Sequence, residues 1–182
     1  YMDKQGLGIR NIFLSCEQAG MDKPLFRDLT VAPEIHGVSG LDGAALPEPG
    51  FEGVGEHAAD FLIKTIMESG TPLILVPTGP LTNVALAMLK DPRITTKLER
   101  IVLMGGAIYD SNITPAAEFN IYVDPEAAAI VFGSGVPLTV MPLDVTHKAS
   151  NQTYAEEIGA DVVAFLRDLA ERGIHVLEKV SW

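Results

Sequence analysis

The sequence predicts an α/β protein with an open, mostly parallel sheet flanked by helices. Short, uninterrupted apolar runs, such as Leu73–Val76 and Ile101–Met104, are typical of strands that are buried on both faces. Segments with apolar residues at helical spacing alternate with these runs. This alternation predicts right-handed crossovers and a parallel sheet covered by helices. We find no internal repeat or linker, so we interpret residues 1–182 as a single domain.

Each predicted element has its own local signal. Apolar runs indicate the strands, helical periodicity indicates the helices, and Gly, Asp-Pro or Asp-Pro-Glu sequences mark the helix ends. The expected order is a strand over 9–16, a Pro/Gly-rich connector over 20–55, a helix over 59–67 that ends at Ser69-Gly70, where the glycine is able to take the left-handed cap conformation, a strand over 73–76, a helix over 81–89, a strand over 101–104, a helix from 124 to 132, a strand over 138–143 and a helix over 158–169.

Composition narrows the class of protein. The net charge of -11 disfavours a nucleic-acid binder, because an acidic surface repels the phosphate backbone. The single cysteine, Cys16, excludes an internal disulfide framework and indicates a reducing compartment, so we expect a cytoplasmic protein. The uncharged stretch Ser69–Leu89 is interrupted by three prolines, a glycine and an asparagine, and a strand, a turn and a helix explain it better than a membrane span.

Polar side chains are concentrated after the strand that ends at Met104. Asn112, Glu118 and Asn120 follow it within a short stretch, and ligands of parallel α/β sheets bind beyond the carboxyl ends of the strands. Carboxylates accept hydrogen bonds from hydroxyl groups, and amides both donate and accept, so this set suits a polyol. The alternative is that these residues cap a turn and the next helix.

Other chemical signals are weaker. Gly105-Gly106 matches neither a dinucleotide fingerprint nor a phosphate-binding loop, which disfavours an oxidoreductase that uses a nicotinamide cofactor. His36, in a glycine-flanked loop, and His147, after a strand end, are candidate acid or base groups, although a lone histidine is more often a packing residue. Asp144 is either a functional acid or the brace of a turn.

Several ordered motifs resemble the inosine-uridine preferring nucleoside hydrolases. They are Val76-Pro77-Thr78-Gly79-Pro80-Leu81-Thr82-Asn83, Ile101-Val102-Leu103-Met104-Gly105-Gly106, the segment from Thr114 to Ala128 that contains Glu118-Phe119-Asn120, Leu143-Asp144-Val145-Thr146-His147, and the loop His36-Gly37-Val38-Ser39-Gly40-Leu41-Asp42-Gly43. The resemblance extends over about residues 9 to 170, and it implies cleavage of the N-glycosidic bond of ribonucleosides.

The resemblance also implies a cofactor and a set of site residues. A calcium ion would hold the attacking water and the ribose hydroxyls. The resemblance further implies a homo-oligomer, either a dimer or a tetramer. The implied residues are Thr78, whose backbone carbonyl would bind calcium; Asn112 and Glu118 for the ribose 5′-hydroxyl; Asn120 for the 3′-hydroxyl; Met104 beside the ribose; Phe119 in the pocket wall; and His36 in a loop near the base.

The chain departs from the family pattern at both ends. The aspartate-rich motif that supplies calcium ligands and the general base, and the later histidine-aspartate pair, are not among the 182 residues. We therefore expect a partial domain, and the alternative to an enzyme is an inactive fragment or relative that keeps the fold and binds nucleosides or a partner. Calcium binds 6–8 oxygens, and tight sites use several carboxylates, whereas the resemblance implies only the Thr78 carbonyl as a ligand within this sequence. This polypeptide alone is therefore expected neither to bind calcium tightly nor to hydrolyse nucleosides.

Overall fold

A computed structural model describes residues 20–33 and 55–149. Within these ranges, three strands form one sheet in the order β1-β2-β3: β1 is Leu73–Leu75, β2 is Leu98–Met104 and β3 is Leu138–Met141. Both pairings are parallel. The prediction of a parallel α/β sheet is therefore confirmed.

Helices connect and cover the strands. They are α1 at Ala58–Glu68, α2 at Thr82–Lys90, a 3-10 turn at Pro92–Thr96, α3 at Phe119–Val123, α4 at Pro125–Phe132 and α5 at Leu143–Ala149. Helix α2 packs against both α1 and α4. The core beneath them includes Ile66, Ile101 and Leu103, all of which are almost completely buried. No helix in the described part of the chain is both long and apolar enough to cross a membrane.

Local sequence explains where the main helices begin and end. The Nδ1 atom of His57 accepts a hydrogen bond from the Ala59 N–H and caps α1. Asp91 ends α2, directly before a proline that cannot continue the helix. Asp124 caps α4 through the Ala127 N–H, with Pro125 at the first helical position, where a missing N–H costs nothing.

The structure differs from the sequence-based expectations in three details. The predicted strand over 138–143 ends at Met141, because Pro142 has no N–H for the ladder, and α5 begins at Leu143. The short helix α3 was not predicted. Gly70, which is able to take the left-handed cap conformation, is not among the described glycines with positive φ, and α1 ends in extended backbone at Ser69.

The described part of the long connector, the 20–33 segment, is bonded to the helices. The Met21 N–H donates to Asn83 Oδ1 at 3.0 Å, and the Leu25 N–H donates to Asp124 Oδ2 at 2.9 Å. A Cβ at Gly20 would lie 2.9 Å from Asn83 Nδ2, so a larger residue here would require the Asn83 side chain to shift. The predicted strand over 9–16, the predicted helix over 158–169 and the rest of the connector lie outside the described residues.

Candidate functional site

The carboxyl ends of all three strands lie at one edge of the sheet, because the strands are parallel. Backbone hydrogen bonds also join the segments that follow the strands, beyond the paired residues of the sheet. The Met104 N–H donates to the Pro77 carbonyl at 3.0 Å, the Gly105 N–H to the Met141 carbonyl at 3.2 Å, and the Leu143 N–H to the Gly106 carbonyl at 2.9 Å. This edge is therefore a connected backbone platform.

Asn120 joins the ends of β1 and β2. Its Nδ2 atom lies 3.2 Å from the carbonyl oxygens of both Thr78 and Met104, and 3.1 Å from Met104 Sδ. Its Oδ1 atom accepts no hydrogen bond from the described residues. The amide nitrogen is thus held by two strand ends, while the amide oxygen can still accept from a ligand hydroxyl.

Glu118 is almost completely buried and holds two segments of the edge together. Its carboxylate accepts from the N–H groups of Asn120 at 2.9 Å and Ile121 at 3.2 Å, which caps α3. It also accepts from the Gly106 N–H at 3.0 Å, where the backbone turns with a φ of 75° that favours glycine. The capping role was the alternative interpretation, and the structure shows that Glu118 does cap α3.

Asn112 and Phe119 are linked by one hydrogen bond. Asn112 Oδ1 accepts from the Phe119 N–H at 2.8 Å, and the Asn112 N–H lies 3.4 Å from the Ala117 carbonyl. Asn112 is an exposed residue, and its Nδ2 atom donates to none of the described residues. The structure therefore brings Thr78, Met104, Asn112, Glu118, Phe119 and Asn120 into one hydrogen-bonded neighbourhood.

Asp144 belongs to the same edge but is not one of the predicted site residues. Its carboxylate accepts from three consecutive backbone N–H groups, those of Ile108, Tyr109 and Asp110. The Ile108 N–H, followed by the other two, lowers the pKa of Asp144 below its ordinary value. Of the two interpretations that the sequence left open for this aspartate, the brace of a turn describes its contacts.

The described residues do not by themselves fit a calcium site. Calcium binds 6–8 oxygens and, in tight sites, several carboxylates. At this edge Thr78 offers a neutral carbonyl, and the Glu118 and Asp144 carboxylates each already accept three backbone N–H groups. Across residues 20–33 and 55–149, no group of three or more His, Cys, Asp or Glu side chains is arranged to hold a metal.

The structure describes one of the two candidate histidines. His147 is exposed on α5. His36 lies outside the described residues, so its role stays a prediction. Tyr109, in the loop fastened by Asp144, is 90% exposed and was not singled out by the sequence, because an aromatic residue in a loop carries no pattern.

Known proteins resemble this chain in sequence and in structure. A pyrimidine-specific ribonucleoside hydrolase from Salmonella paratyphi B is 55% identical over 139 residues, which cover 76% of this chain and 44% of the relative. A plant nucleoside hydrolase superposes with a TM-score of 0.64 at 36% identity, over 70% of this chain and 41% of that one. A purine-preferring ribonucleoside hydrolase from Gardnerella vaginalis gives a TM-score of 0.62 at 39% identity, over 69% and 41% of the two chains.

The chain thus spans less than half the length of these relatives. The family model of the inosine-uridine preferring nucleoside hydrolases matches residues 12–180, nearly the whole sequence. Its sequence relatives and its structural neighbours carry the same family name or activity. The chain belongs to the inosine-uridine preferring nucleoside hydrolase family.

Proposed function

We propose that the full-length protein hydrolyses the N-glycosidic bond of ribonucleosides, and that the carboxyl edge described above binds the ribose. The observation that carries this proposal is the Asn120 carboxamide. Its nitrogen is held by the carbonyls of Thr78 and Met104 at the ends of two adjacent strands, and its oxygen keeps its acceptor capacity. A preorganised acceptor at this place suits a sugar hydroxyl.

Asn120 is proposed to accept from the ribose 3′-hydroxyl. The amide cannot turn over without placing its oxygen against two carbonyl oxygens, so the orientation of the acceptor is fixed. A fixed acceptor loses little rotamer entropy when the sugar binds. It also stays in place as the ribose flattens toward an oxocarbenium-like transition state.

Glu118 and Asn112 are proposed to bind the 5′-hydroxyl. A carboxylate has about four acceptor positions, and three of those of Glu118 are filled by backbone N–H groups. The remaining position accepts from a hydroxyl. Asn112 can donate from Nδ2 to the same hydroxyl oxygen, because its Oδ1 is engaged by the Phe119 N–H.

Met104 and Phe119 are proposed to form the apolar walls beside the sugar. Both are partly exposed and follow or flank the polar groups directly. Met104 Sδ also contacts the Asn120 amide, so the thioether is held at the strand end. Apolar walls exclude water from the polar contacts and strengthen them.

The residues that move protons in this reaction are proposed to lie outside the described part of the chain. Hydrolysis requires a base that takes a proton from the attacking water, and an acid that protonates the departing nucleobase. Of the two candidate histidines, His36 is proposed as the acid, because the resemblance implies that its loop lies near the nucleobase. Calcium also remains part of the proposal for the full-length protein, with the Thr78 carbonyl as its one ligand among the described residues.

The wider context of the protein is proposed on the resemblance and the composition. We propose a cytoplasmic enzyme that acts on a small-molecule nucleoside and assembles as a homo-oligomer. The support for the compartment is the single cysteine, and the support against a nucleic-acid substrate is the net charge of -11. Size-exclusion chromatography with light scattering tests the assembly.

The proposed function is tested by a reducing-sugar assay for released ribose. Uridine, cytidine and inosine are offered separately to the full-length protein, because the relatives include a pyrimidine-specific and a purine-preferring enzyme. We expect ribose release from at least one nucleoside and its loss on chelation of calcium. Nucleoside binding without ribose release would support the alternative of an inactive relative.

A further inference from the structure

The loop that leaves β2, residues 105–112, is fastened by the carboxylate of Asp144. The Ile108 N–H donates to Oδ2 at 2.7 Å, and the N–H groups of Tyr109 and Asp110 donate to Oδ1 at 2.9 and 3.2 Å. Three successive N–H groups on one carboxylate fix the backbone path over these residues. Hydrogen bonds to a charged acceptor are also stronger than neutral ones.

Side-chain packing does not hold the tip of this loop. Ile108 is 70% exposed and Tyr109 is 90% exposed. Asp144 itself is held by its neighbours, because it lies in the first turn of α5 and the preceding Leu143 N–H donates to the Gly106 carbonyl. Asp144 therefore provides the main described contacts that connect the tip to the rest of the fold.

The fastened tip leads directly to Asn112. Downstream, Asn112 is held by its own bonds to Phe119 and Ala117. Upstream, Asp144 sets where the chain enters this turn, since it holds Asp110. Asn112 thus lies in the chain between two sets of hydrogen bonds, those to Asp144 and those to Phe119 and Ala117. Loss of the bonds to Asp144 would let the backbone before Asn112 move, and the remaining bonds alone would hold its side chain less firmly.

We propose that Asp144 is a positioning residue that holds the loop after β2 so that Asn112 meets the 5′-hydroxyl of the ribose. This inference rests on the proposed function. It assigns a role to the Leu143–His147 motif, which the sugar contacts themselves leave unused. Asp144 acts through Asn112 and does not touch the substrate.

The test is a double-mutant cycle in the full-length protein, with kcat and KM measured for uridine and for 5′-deoxyuridine. We expect Asp144→Ala to lower kcat/KM for uridine by about ten- to a hundredfold, as misplaced polar contacts do. We expect Asp144→Ala combined with Asn112→Ala to be no worse than Asn112→Ala alone, because both variants remove the same contact. With 5′-deoxyuridine, the effect of Asp144→Ala should nearly disappear.

Two further variants keep the result interpretable if Asp144→Ala folds poorly. Asp144→Asn keeps the size and one oxygen for the Tyr109 and Asp110 N–H groups but turns a donor toward Ile108, so a smaller loss of the same kind is expected. Asp110→Asn removes a side-chain charge from the same loop but keeps the Asp110 N–H that donates to Asp144, so kcat/KM should change much less than in Asp144→Ala.

The outcomes separate the inference from the proposed function. Failure of the wild-type protein to release ribose from any nucleoside would overturn both. An active wild type in which the Asp144 and Asn112 effects add, or in which 5′-deoxyuridine shows the full Asp144→Ala loss, would overturn the positioning role alone. In those two cases Asp144 would be a brace of the fold and no more.

Discussion

Two buried carboxylates that lie close in sequence serve different parts of this molecule. Asp124 is 0% exposed and Glu118 is 2% exposed, and each caps a helix. The partners of Asp124 come from three places: the 20–33 segment through Leu25, the start of α2 through Thr82, and its own helix α4 through Ala127. The partners of Glu118 all belong to the carboxyl edge of the sheet.

The difference shows how one residue type supports either the fold or a site. Asp124 joins segments that are distant in sequence, and its side chain is fully enclosed. Glu118 orders a single loop and helix, and its three backbone donors leave about one acceptor position of the carboxylate unfilled. Loss of Asp124 should therefore change stability, whereas loss of Glu118 should lower turnover as well as stability, because three backbone N–H groups also lose their acceptor.

The largest expected effect is that of Asp124→Ala on stability. It leaves two backbone N–H groups and the Thr82 hydroxyl without their acceptor, and it removes the cap of α4. We expect the free energy of unfolding to fall by about 3–5 kcal/mol, the range for a broken buried network. Urea denaturation followed by circular dichroism measures it.

Thr82→Val is the matched control for Asp124→Ala. It removes one donor to Asp124 and keeps the side-chain shape, so it should cost clearly less than Asp124→Ala. A loss for Asp124→Ala below about 1 kcal/mol, which is the scale of a single cap, would show that the long-range bonds of Asp124 add little.

The next effect is on turnover, at Asn120. Asn120→Ala removes the fixed acceptor proposed for the 3′-hydroxyl, and should raise the activation free energy by about 2–4 kcal/mol, as loss of other preorganised polar groups does. Glu118→Ala is expected to give a similar loss of turnover. For Asn120→Ala the melting temperature should change much less than the rate, since the variant leaves the backbone bonds of the edge intact.

A substrate that lacks the proposed partner provides the control for Asn120→Ala. With 3′-deoxyuridine, wild type and Asn120→Ala should react at nearly the same rate. If the variant instead lost stability and rate in equal measure, Asn120 would be a link between strand ends without a contact to the sugar.

Local signals explain what the sequence could predict of this comparison. Asp124-Pro125-Glu126 is a helix start by short-range rules, and the structure confirms it. Glu118 and Asn120 were selected because they follow a strand in a parallel sheet, and the structure does place them at its carboxyl edge. Both inferences need only neighbours in sequence or a known fold class.

The features that the sequence did not predict depend mainly on contacts between residues that are distant in sequence. The Leu25 N–H meets Asp124, and the Met21 N–H meets Asn83, through backbone donors that any residue carries. Helix α3 is short, and its cap is a glutamate, which is not a favoured capping residue. The contacts of Asp144 with the loop after β2 are likewise made by backbone N–H groups, so no residue type in that loop could predict them.

A smaller effect is expected at Thr78, where the side-chain hydroxyl can be changed without removing the backbone carbonyl. The Thr78 Oγ1 atom is buried and has no hydrogen-bond partner among the described residues. Thr78→Val replaces this hydroxyl by a methyl group and leaves the proposed ligand carbonyl in place, so the ligand-free protein should gain about 1 kcal/mol in stability. A loss of stability would show that the hydroxyl has a partner outside the described part of the chain.

The smallest expected effect is at the exposed pair that joins the 20–33 segment to α4. Arg27 donates to Glu126 through two nitrogen atoms, at 2.8 and 2.7 Å, but both side chains remain well exposed, so solvent screens the pair. The hydrogen bond from Arg27 lowers the pKa of Glu126 below its ordinary value. A lowered folded-state pKa means that the contribution of the pair is present above the unfolded pKa of the carboxyl group and is lost as the pH falls through the folded value.

Arg27→Gln should therefore lower the melting temperature slightly at neutral pH and by less in acid. Thr95→Val, on an exposed turn without an ion pair, should show no such pH dependence. Thermal melts at neutral and acidic pH measure this difference. An Arg27→Gln effect as large as that of Asp124→Ala would show that the exposed pair, and not the buried carboxylate, holds the 20–33 segment to the helices.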